Sequence, residues 1–79
     1  MIRAQVKVFL KDDVMDPQGV AVGQALGSLG HKQVGRVRVG RCFDLTLNTD
    51  DREAAREEIR RMCEELLANT VIERYEIEL

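Results

Sequence analysis

The stretch from Val14 to Gly30, VMDPQGVAVGQALGSLG, is the feature that most limits how this chain can fold. Asp16 is a preferred helix N-cap, Pro17 suits the first helical position, and Gly30 suits the left-handed residue that follows a helix. Between these signals, apolar residues at helical spacing predict one buried face, made of Val22, Ala25, Leu26 and Leu29. The sequence therefore predicts a helix from about Pro17 to Leu29 that packs on another layer.

Strand patterns flank this helix, and a second helix follows. Residues 2–11 alternate between apolar and polar, Gln33–Leu47 predicts two strands that meet near Gly40-Arg41, and Thr70–Leu79 alternates again. Asp50 is expected to open the second helix with Glu53 as its capping-box partner. A stripe at spacings of three and four predicts its buried face: Ala55, Ile59, Met62, Cys63, Leu66 and Leu67.

The order strand, helix, strand, strand, helix, strand predicts the fold class. It is an α+β two-layer sandwich of the ferredoxin-like βαββαβ type, with a four-stranded antiparallel sheet and both helices on one face. Residues 1–79 are expected to form a single domain. A core of this size contributes little stability, so oligomerisation is the expected source of more.

Composition argues against several classes of function. Twelve basic and fourteen acidic residues give a net charge of −2, which does not favour general nucleic-acid binding. No apolar run reaches the roughly 20 residues of a membrane span. One histidine and two cysteines are too few for a typical structural zinc site. We expect no metal and two reduced thiols, at Cys42 and Cys63, over the alternative of one disulfide.

No motif supplies a nucleophile with its base or a phosphate-binding loop. Arg36, Arg38 and Arg41 are predicted to share the polar face of the hairpin with Asp44. Such arginines can clamp an anion, pair with acidic neighbours in solvent, or meet the carboxylates of a partner. The residues alone therefore predict an interaction or regulatory module without catalytic residues of its own.

Three stretches resemble the PurS family, the small subunit of phosphoribosylformylglycinamidine synthase. They are VMDPQG at the start of the first helix, VRVGR before the central strand, and MCEELLANTVIE near the end. The chain departs from the family pattern at Arg41, where Lys is common, and at Thr70, where Pro is common. The resemblance covers the whole chain, including its length and the order of its elements.

The resemblance implies a non-catalytic subunit of a cytoplasmic ligase complex in purine biosynthesis. That complex uses ATP and Mg²⁺, although this chain alone is expected to bind no cofactor. The implied partners are a glutaminase subunit, a large synthetase subunit and further copies of this chain, as a dimer or a tetramer. The implied role is to bridge the two larger subunits, and a part in ammonia transfer is left open.

Nine residues are candidates for subunit interfaces. They are Asp16, Pro17, Gln18, Gly19, Arg36, Arg38, Arg41, Asn69 and Tyr75. The alternative function is a small-ligand-binding regulatory domain of the same fold, because the free N–H groups at the start of the first helix could hold an anion.

Overall fold

The computed structural model describes all 79 residues as a three-stranded sheet with two helices. The strands are β1 (Ile2–Leu10), β2 (Gly40–Leu47) and β3 (Glu73–Glu78), and the helices are α1 (Pro17–Ser28) and α2 (Arg52–Met62). A π-helical turn, Cys63–Leu67, continues α2 and is called the π-turn below. The sheet is antiparallel with the order β2-β1-β3. The α+β class is confirmed, and the prediction of a four-stranded sheet is wrong.

The missing strand has a simple geometric cause. In the register between β1 and β2, Phe9 pairs with Gly40, and β1 ends one residue later at Leu10. Residues 33–39 therefore run past the end of β1, where no strand remains for them to pair with. The predicted hairpin turn at Gly40-Arg41 is absent, because both residues lie inside β2 and pair with β1.

The core lies between the sheet and α2. Val6 and Val8 of the central strand are fully buried, together with Ile59 of α2 and Cys63 of the π-turn. Several half-buried residues pack against this cluster, among them Phe43, Leu45, Leu47, Met62, Leu67, Tyr75, Ile77 and Leu79. Only one face of the sheet is covered, as the alternation predicts, and the other face is polar except for Phe9, whose ring lies 5.2 Å from the Arg74 guanidinium.

Helix α1 makes no part of this core, which contradicts the prediction that both helices cover the sheet. None of its residues belongs to the core cluster or packs against it. Val22 and Leu29, predicted to be buried, are 41% and 75% exposed. The molecule is consequently elongated, with extents of 47 × 25 × 14 Å. Its radius of gyration is 15.9 Å, whereas a compact domain of this length has about 12 Å.

The ends of the helices follow their sequence signals closely. At the end of α1, His31 N–H donates to Leu26 O and Gly30 N–H to Gly27 O, with Gly30 at a φ of 102°. This is a Schellman motif, which requires the left-handed residue that Gly30 supplies. The N-cap of α2 is Asp51 and not the predicted Asp50, because the Asp51 carboxylate accepts the Ala54 N–H at 3.1 Å. Neither helix has the length and apolar character needed to cross a lipid bilayer.

Candidate functional site

Asp16 organises the junction between α1 and the sheet. Its carboxylate accepts the Gly19 N–H at 2.9 Å on one oxygen and the Val39 N–H at 2.8 Å on the other. The side chain thus caps α1 and also ties it to the residue that precedes β2. The two backbone donors, Val39 first and Gly19 second, lower the pKa of Asp16, and the charge of nearby Arg38 adds to the effect. Asp16 is the one charged residue that the fold buries.

Arg38 fixes the loop that leads into α1. Its guanidinium donates to the carbonyl oxygens of Leu10, Lys11 and Val14 at 3.1, 3.0 and 3.2 Å. Arg36 makes a single bond of this kind, to the carbonyl of Asp12 at 3.1 Å. Both arginines therefore satisfy backbone acceptors of a turning segment that has no strand partner. This use of their donors disfavours the reading of these side chains as an anion site.

Gly19 allows the two segments to touch. A Cβ atom at this position would lie 2.1 Å from the carbonyl oxygen of Val37, so no other residue fits without a shift of the backbone. The backbone that comes this close to Gly19 is the chain's own, at Val37. Asp16, Gly19 and Arg38, with the backbone of Val37 and Val39, form what we call the clasp.

The clasp fixes an arm, which we define as residues 11–39. A groove of about 680 Å³ runs beside it between the start of α1 and the returning segment Gly35–Arg38. Because the Asp16 carboxylate already holds a first-turn N–H group of α1, an anion at this helix start would meet a negative charge. The start of α1, whose free N–H groups suggested the ligand-binding alternative, is therefore already occupied by the chain's own Asp16 side chain.

A second cluster orders the connection from the π-turn to β3. Arg41 donates to both carboxylate oxygens of Glu73, at 2.9 and 3.1 Å, and to the Leu67 carbonyl at 3.0 Å. Glu73 also accepts the Asn69 N–H at 2.7 Å. The Arg41 bonds come first, and the Asn69 N–H second, among the causes that lower the pKa of Glu73.

Asn69 and Tyr75 complete this cluster. Asn69 does not end the π-turn in a left-handed conformation, since no residue other than glycine has a positive φ. Its side chain instead accepts the Val71 N–H at 3.2 Å, which forms an Asx turn. The Tyr75 hydroxyl donates to Glu64 at 2.8 Å, and this bond raises the pKa of Tyr75.

The structure separates the candidate residues into two groups. The clasp contains three of them: Asp16, Gly19 and Arg38. Exposed beside the clasp are Pro17, Gln18 and Arg36. The second cluster contains the remaining three: Arg41, Asn69 and Tyr75. The prediction that the three arginines share the polar face of a hairpin with Asp44 is wrong, because Arg36 and Arg38 lie outside the sheet and Arg41 lies on its other face. Arg41 pairs with Val8 and lies on the core side of the sheet, whereas Asp44 pairs with Gln5 on the open side.

Two exposed apolar residues beside the second cluster were missed by sequence reasoning. Leu66 is 83% exposed and Val71 is 80% exposed. Helical spacing places Leu66 in the buried stripe, but the π-turn closes with a bond from Ala68 N–H to Cys63 O, one residue longer than in an α-helix. The extra residue rotates Leu66 out of the stripe, and spacing alone carries no signal for that rotation.

No catalytic set accompanies these clusters. No group of three or more His, Cys, Asp or Glu side chains is placed to hold a metal ion. The prediction of two free thiols is confirmed: Cys42 is exposed, Cys63 is buried, and burial is the first cause that raises the pKa of the Cys63 thiol. Polar side chains that fix the backbone of loops, together with exposed apolar side chains, are typical of an interaction subunit and supply no chemistry of their own.

Comparison with known proteins places this subunit in a family. A family model described as "PurS: Phosphoribosylformylglycinamidine (FGAM) synthase" matches residues 3–79. The synthase subunit PurS of Bacillus subtilis is 48% identical over 80 residues, which cover 99% of this chain and 94% of that protein. The Mycobacterium leprae PurS subunit is 46% identical over 79 residues, covering 98% of this chain and 94% of that protein. The chain belongs to the PurS family.

Solved structures agree with this assignment. The crystal structure of Methanocaldococcus jannaschii PurS has a TM-score of 0.90 and 37% identity, over 99% of this chain and 94% of that one. A chain from the structure of PurLQS from Thermotoga maritima has a TM-score of 0.85 and 30% identity, over 99% of this chain and 98% of that one. The family resemblance noted in the sequence is thus confirmed.

Proposed function

We propose that this chain is the non-catalytic bridging subunit of phosphoribosylformylglycinamidine synthase, a cytoplasmic ligase of purine biosynthesis. Membership of the PurS family makes the chain a subunit of that synthase. The likeness to a chain of the PurLQS structure carries the proposal, because that protein is part of a three-component assembly. The reaction consumes ATP with Mg²⁺ and takes its amide nitrogen from glutamine, and we assign that chemistry to the larger partner subunits.

Bridging suits the chain's surface better than ligand binding does. Leu66 and Val71 are exposed on a connection whose ends are tied together by Arg41, so the apolar side chains are presented on an ordered backbone. Pro17 and Gln18 are exposed at the base of the arm, so their side chains are available to a partner. Such surfaces support contacts with a glutaminase subunit and a large synthetase subunit.

A homodimer, or a tetramer built from it, is the oligomeric form we propose for the chain itself. Apolar residues outside the core remain exposed in a single copy, and Val22 and Leu29 of α1 are examples. Their transfer from water into an interface would contribute about 25 cal/mol for each Å² buried. The second part of the proposal is that the dimer helps to shield ammonia on its way from the glutaminase subunit to the synthetase subunit.

Reconstituted activity tests the bridging role. Glutamine-dependent turnover is measured with the glutaminase and synthetase of the same organism, with and without this chain, and ammonia-dependent turnover serves as the control. We expect the chain to raise the glutamine-dependent rate strongly and the ammonia-dependent rate little, because only the former needs the glutaminase in place. Equal glutamine-dependent rates with and without the chain would contradict the proposal.

A further inference from the structure

The connection between the π-turn and β3 presents apolar side chains to solvent. Leu66 and Val71 are 83% and 80% exposed, and Ile72 is 40% exposed. None of the three belongs to the core cluster or packs against it. We call residues 66–72 the connecting loop. Single exposed apolar residues are common on protein surfaces, whereas several on one short loop indicate an interaction site.

Hydrogen bonds fix the backbone of the connecting loop. One guanidinium nitrogen of Arg41 donates both to the Leu67 carbonyl at 3.0 Å and to the Glu73 carboxylate at 3.1 Å, which holds the two ends of the loop together. Between these ends, the Asn69 carbonyl accepts the N–H groups of Ile72 at 3.1 Å and of Glu73 at 2.7 Å. Because this backbone is already ordered, a contact made through the loop loses little conformational entropy.

The π-turn is the reason that Leu66 faces solvent. Regular α-helical spacing would keep this side chain in the buried stripe of α2, and the longer bond from Ala68 N–H to Cys63 O rotates it outward. Helical turns of this kind are rare in proteins and are found frequently at functional sites. The exposure of Leu66 therefore follows from a specific departure from helical geometry and not from a frayed end of the chain.

The charges beside these apolar side chains are of one sign. Residues 62–73 contain three glutamates and no lysine or arginine. Glu73 is paired with Arg41, whereas Glu64 and Glu65 are exposed and form no ion pair. The Glu64 carboxylate accepts the hydroxyl of Tyr75, which is a neutral donor. The apolar side chains of the loop therefore lie next to carboxylates that have no basic partner within the chain.

We infer that the connecting loop inserts Leu66 and Val71 into an apolar pocket, bordered by lysine or arginine, on one of the larger subunits of the synthase. The inference rests on the proposed function and assigns a surface of this chain to that contact. A basic border complements Glu64 and Glu65, while the apolar side chains supply the buried centre of the contact. A second copy of the chain fits poorly here, because a two-fold contact would bring these carboxylates against their own counterparts.

Substitution of both apolar side chains tests the contact. A variant with Leu66→Ser and Val71→Ser is titrated into a fixed mixture of the glutaminase and the synthetase, with glutamine and ADP present before ATP starts the reaction. The concentration of chain that gives half of the maximal glutamine-dependent rate should rise at least about tenfold, because two apolar side chains are lost from the interface. The rate at saturation should stay close to that of the natural chain. Thr70→Ala, at an exposed position of the same loop, is the control and should leave the half-saturating concentration unchanged.

The charge of the loop gives a second readout. Glu65→Lys should raise the half-saturating concentration and make it less dependent on salt, because salt screens the attraction between exposed charges. Asp44→Lys makes the same change in net charge on the open face of the sheet, where Asp44 is exposed and pairs with Gln5 across the strands. This matched control should leave the half-saturating concentration and its salt dependence unchanged. Equal effects of the two substitutions would show that only the overall charge matters, which would overturn the inference.

Measurements on the variant chain alone separate the possible failures. Leu66 and Val71 lie outside the core, so the double-serine variant should keep the circular dichroism spectrum and the native mass of the natural chain. A lower native mass would assign the connecting loop to contacts between copies and overturn the inference. If the spectrum changes, Glu65→Lys at its exposed site decides alone.

The inference and the proposed function fail in different ways. An unchanged half-saturating concentration of the folded double-serine variant would overturn the inference. The bridging role would still stand in that case, as long as the natural chain raises glutamine-dependent turnover. Equal turnover with and without the natural chain would overturn the proposed function, and the inference with it.

Discussion

Asp16 shows how one side chain can set the position of a whole helix. A first reading of the sequence explains it fully as an N-cap, and the cap is present. The second acceptor bond, from Val39 N–H across 23 positions of sequence, has no sequence signal. It depends on residues 33–39 failing to pair as a strand, which leaves the Val39 N–H in need of an acceptor.

Replacement of this carboxylate should remove a pH-dependent part of the stability. The pKa of Asp16 in the folded chain is lowered relative to its value of about 3.9 in an unfolded chain. The group therefore stabilises the fold above that unfolded value, and the contribution is lost as the pH falls through the lower folded value. Asp16→Asn should lower the free energy of unfolding at pH 7, because its amide nitrogen or its single oxygen cannot serve both N–H donors.

Urea denaturation at one protein concentration, at pH 7 and at pH 3, checks this expectation. The difference in unfolding free energy between the natural chain and Asp16→Asn should shrink as the pH falls. Asp12→Asn, at an exposed site whose side chain makes no bond, is the matched control and should change little at either pH. A difference that stays constant between the two pH values would contradict the assigned role of the Asp16 charge.

The glycines of α1 give an independent test of the clasp. Gly19→Ala brings a methyl group into the Val37 carbonyl, so it should destabilise the chain despite the better helix propensity of alanine. Gly27→Ala is the matched control, because nothing lies within 4 Å of its added Cβ, and it should stabilise by up to about 1 kcal/mol. Thermal unfolding of both variants decides the point, and equal shifts in the same direction would contradict it.

At the scale of elements, the sequence predicts what depends on local signals. The two helices, the first strand and the Schellman end at Gly30 follow from caps, spacing and glycine, and all are present. The predicted element that is absent is one that requires a neighbouring strand. Residues 33–39 alternate like a strand, yet the register that begins with Phe9 opposite Gly40 leaves them without one. Alternation indicates that a segment has one apolar and one polar side. It does not show whether a neighbouring strand is long enough to pair with that segment.

The π-turn is another element that no local pattern predicts. Arg41 stabilises the connection that follows it through Leu67 and Glu73, two residues that sequence spacing does not relate to β2. Glu73 is nearly buried, with a side chain 11% exposed, and it is charged. Removal of its partner Arg41 should therefore cost more stability than removal of one partner from an exposed ion pair on a helix surface.

Loss of that partner should destabilise the second cluster. Arg41→Ala should lower the free energy of unfolding by about 1–2 kcal/mol, because charge-assisted bonds to a shielded carboxylate are lost. Arg60→Ala removes an exposed pair with Glu57 on α2 and serves as the control with a clearly smaller effect. Chemical denaturation compares the two variants, and a larger loss for Arg60→Ala would show that the Arg41 cluster contributes little.

At the scale of the whole molecule, the main feature is the elongated shape. One copy buries a small core between a three-stranded sheet and α2, and it extends an arm that packs on none of it. The predicted two-helix layer is absent from a single chain, and the sequence could not show this. Helical spacing marks an apolar face without identifying what covers it. Such a shape suits a subunit whose surfaces are completed by other chains.

The measurement that tests this role most directly is a native mass spectrum of the synthetase and the glutaminase, mixed with and without this chain. Glutamine and ADP are kept the same in both mixtures. The proposed function predicts one assembly that contains all three kinds of subunit when the chain is present, with more than one copy of the chain, and separate large subunits when it is absent. An equally abundant complex of glutaminase and synthetase without the chain would contradict the bridging role.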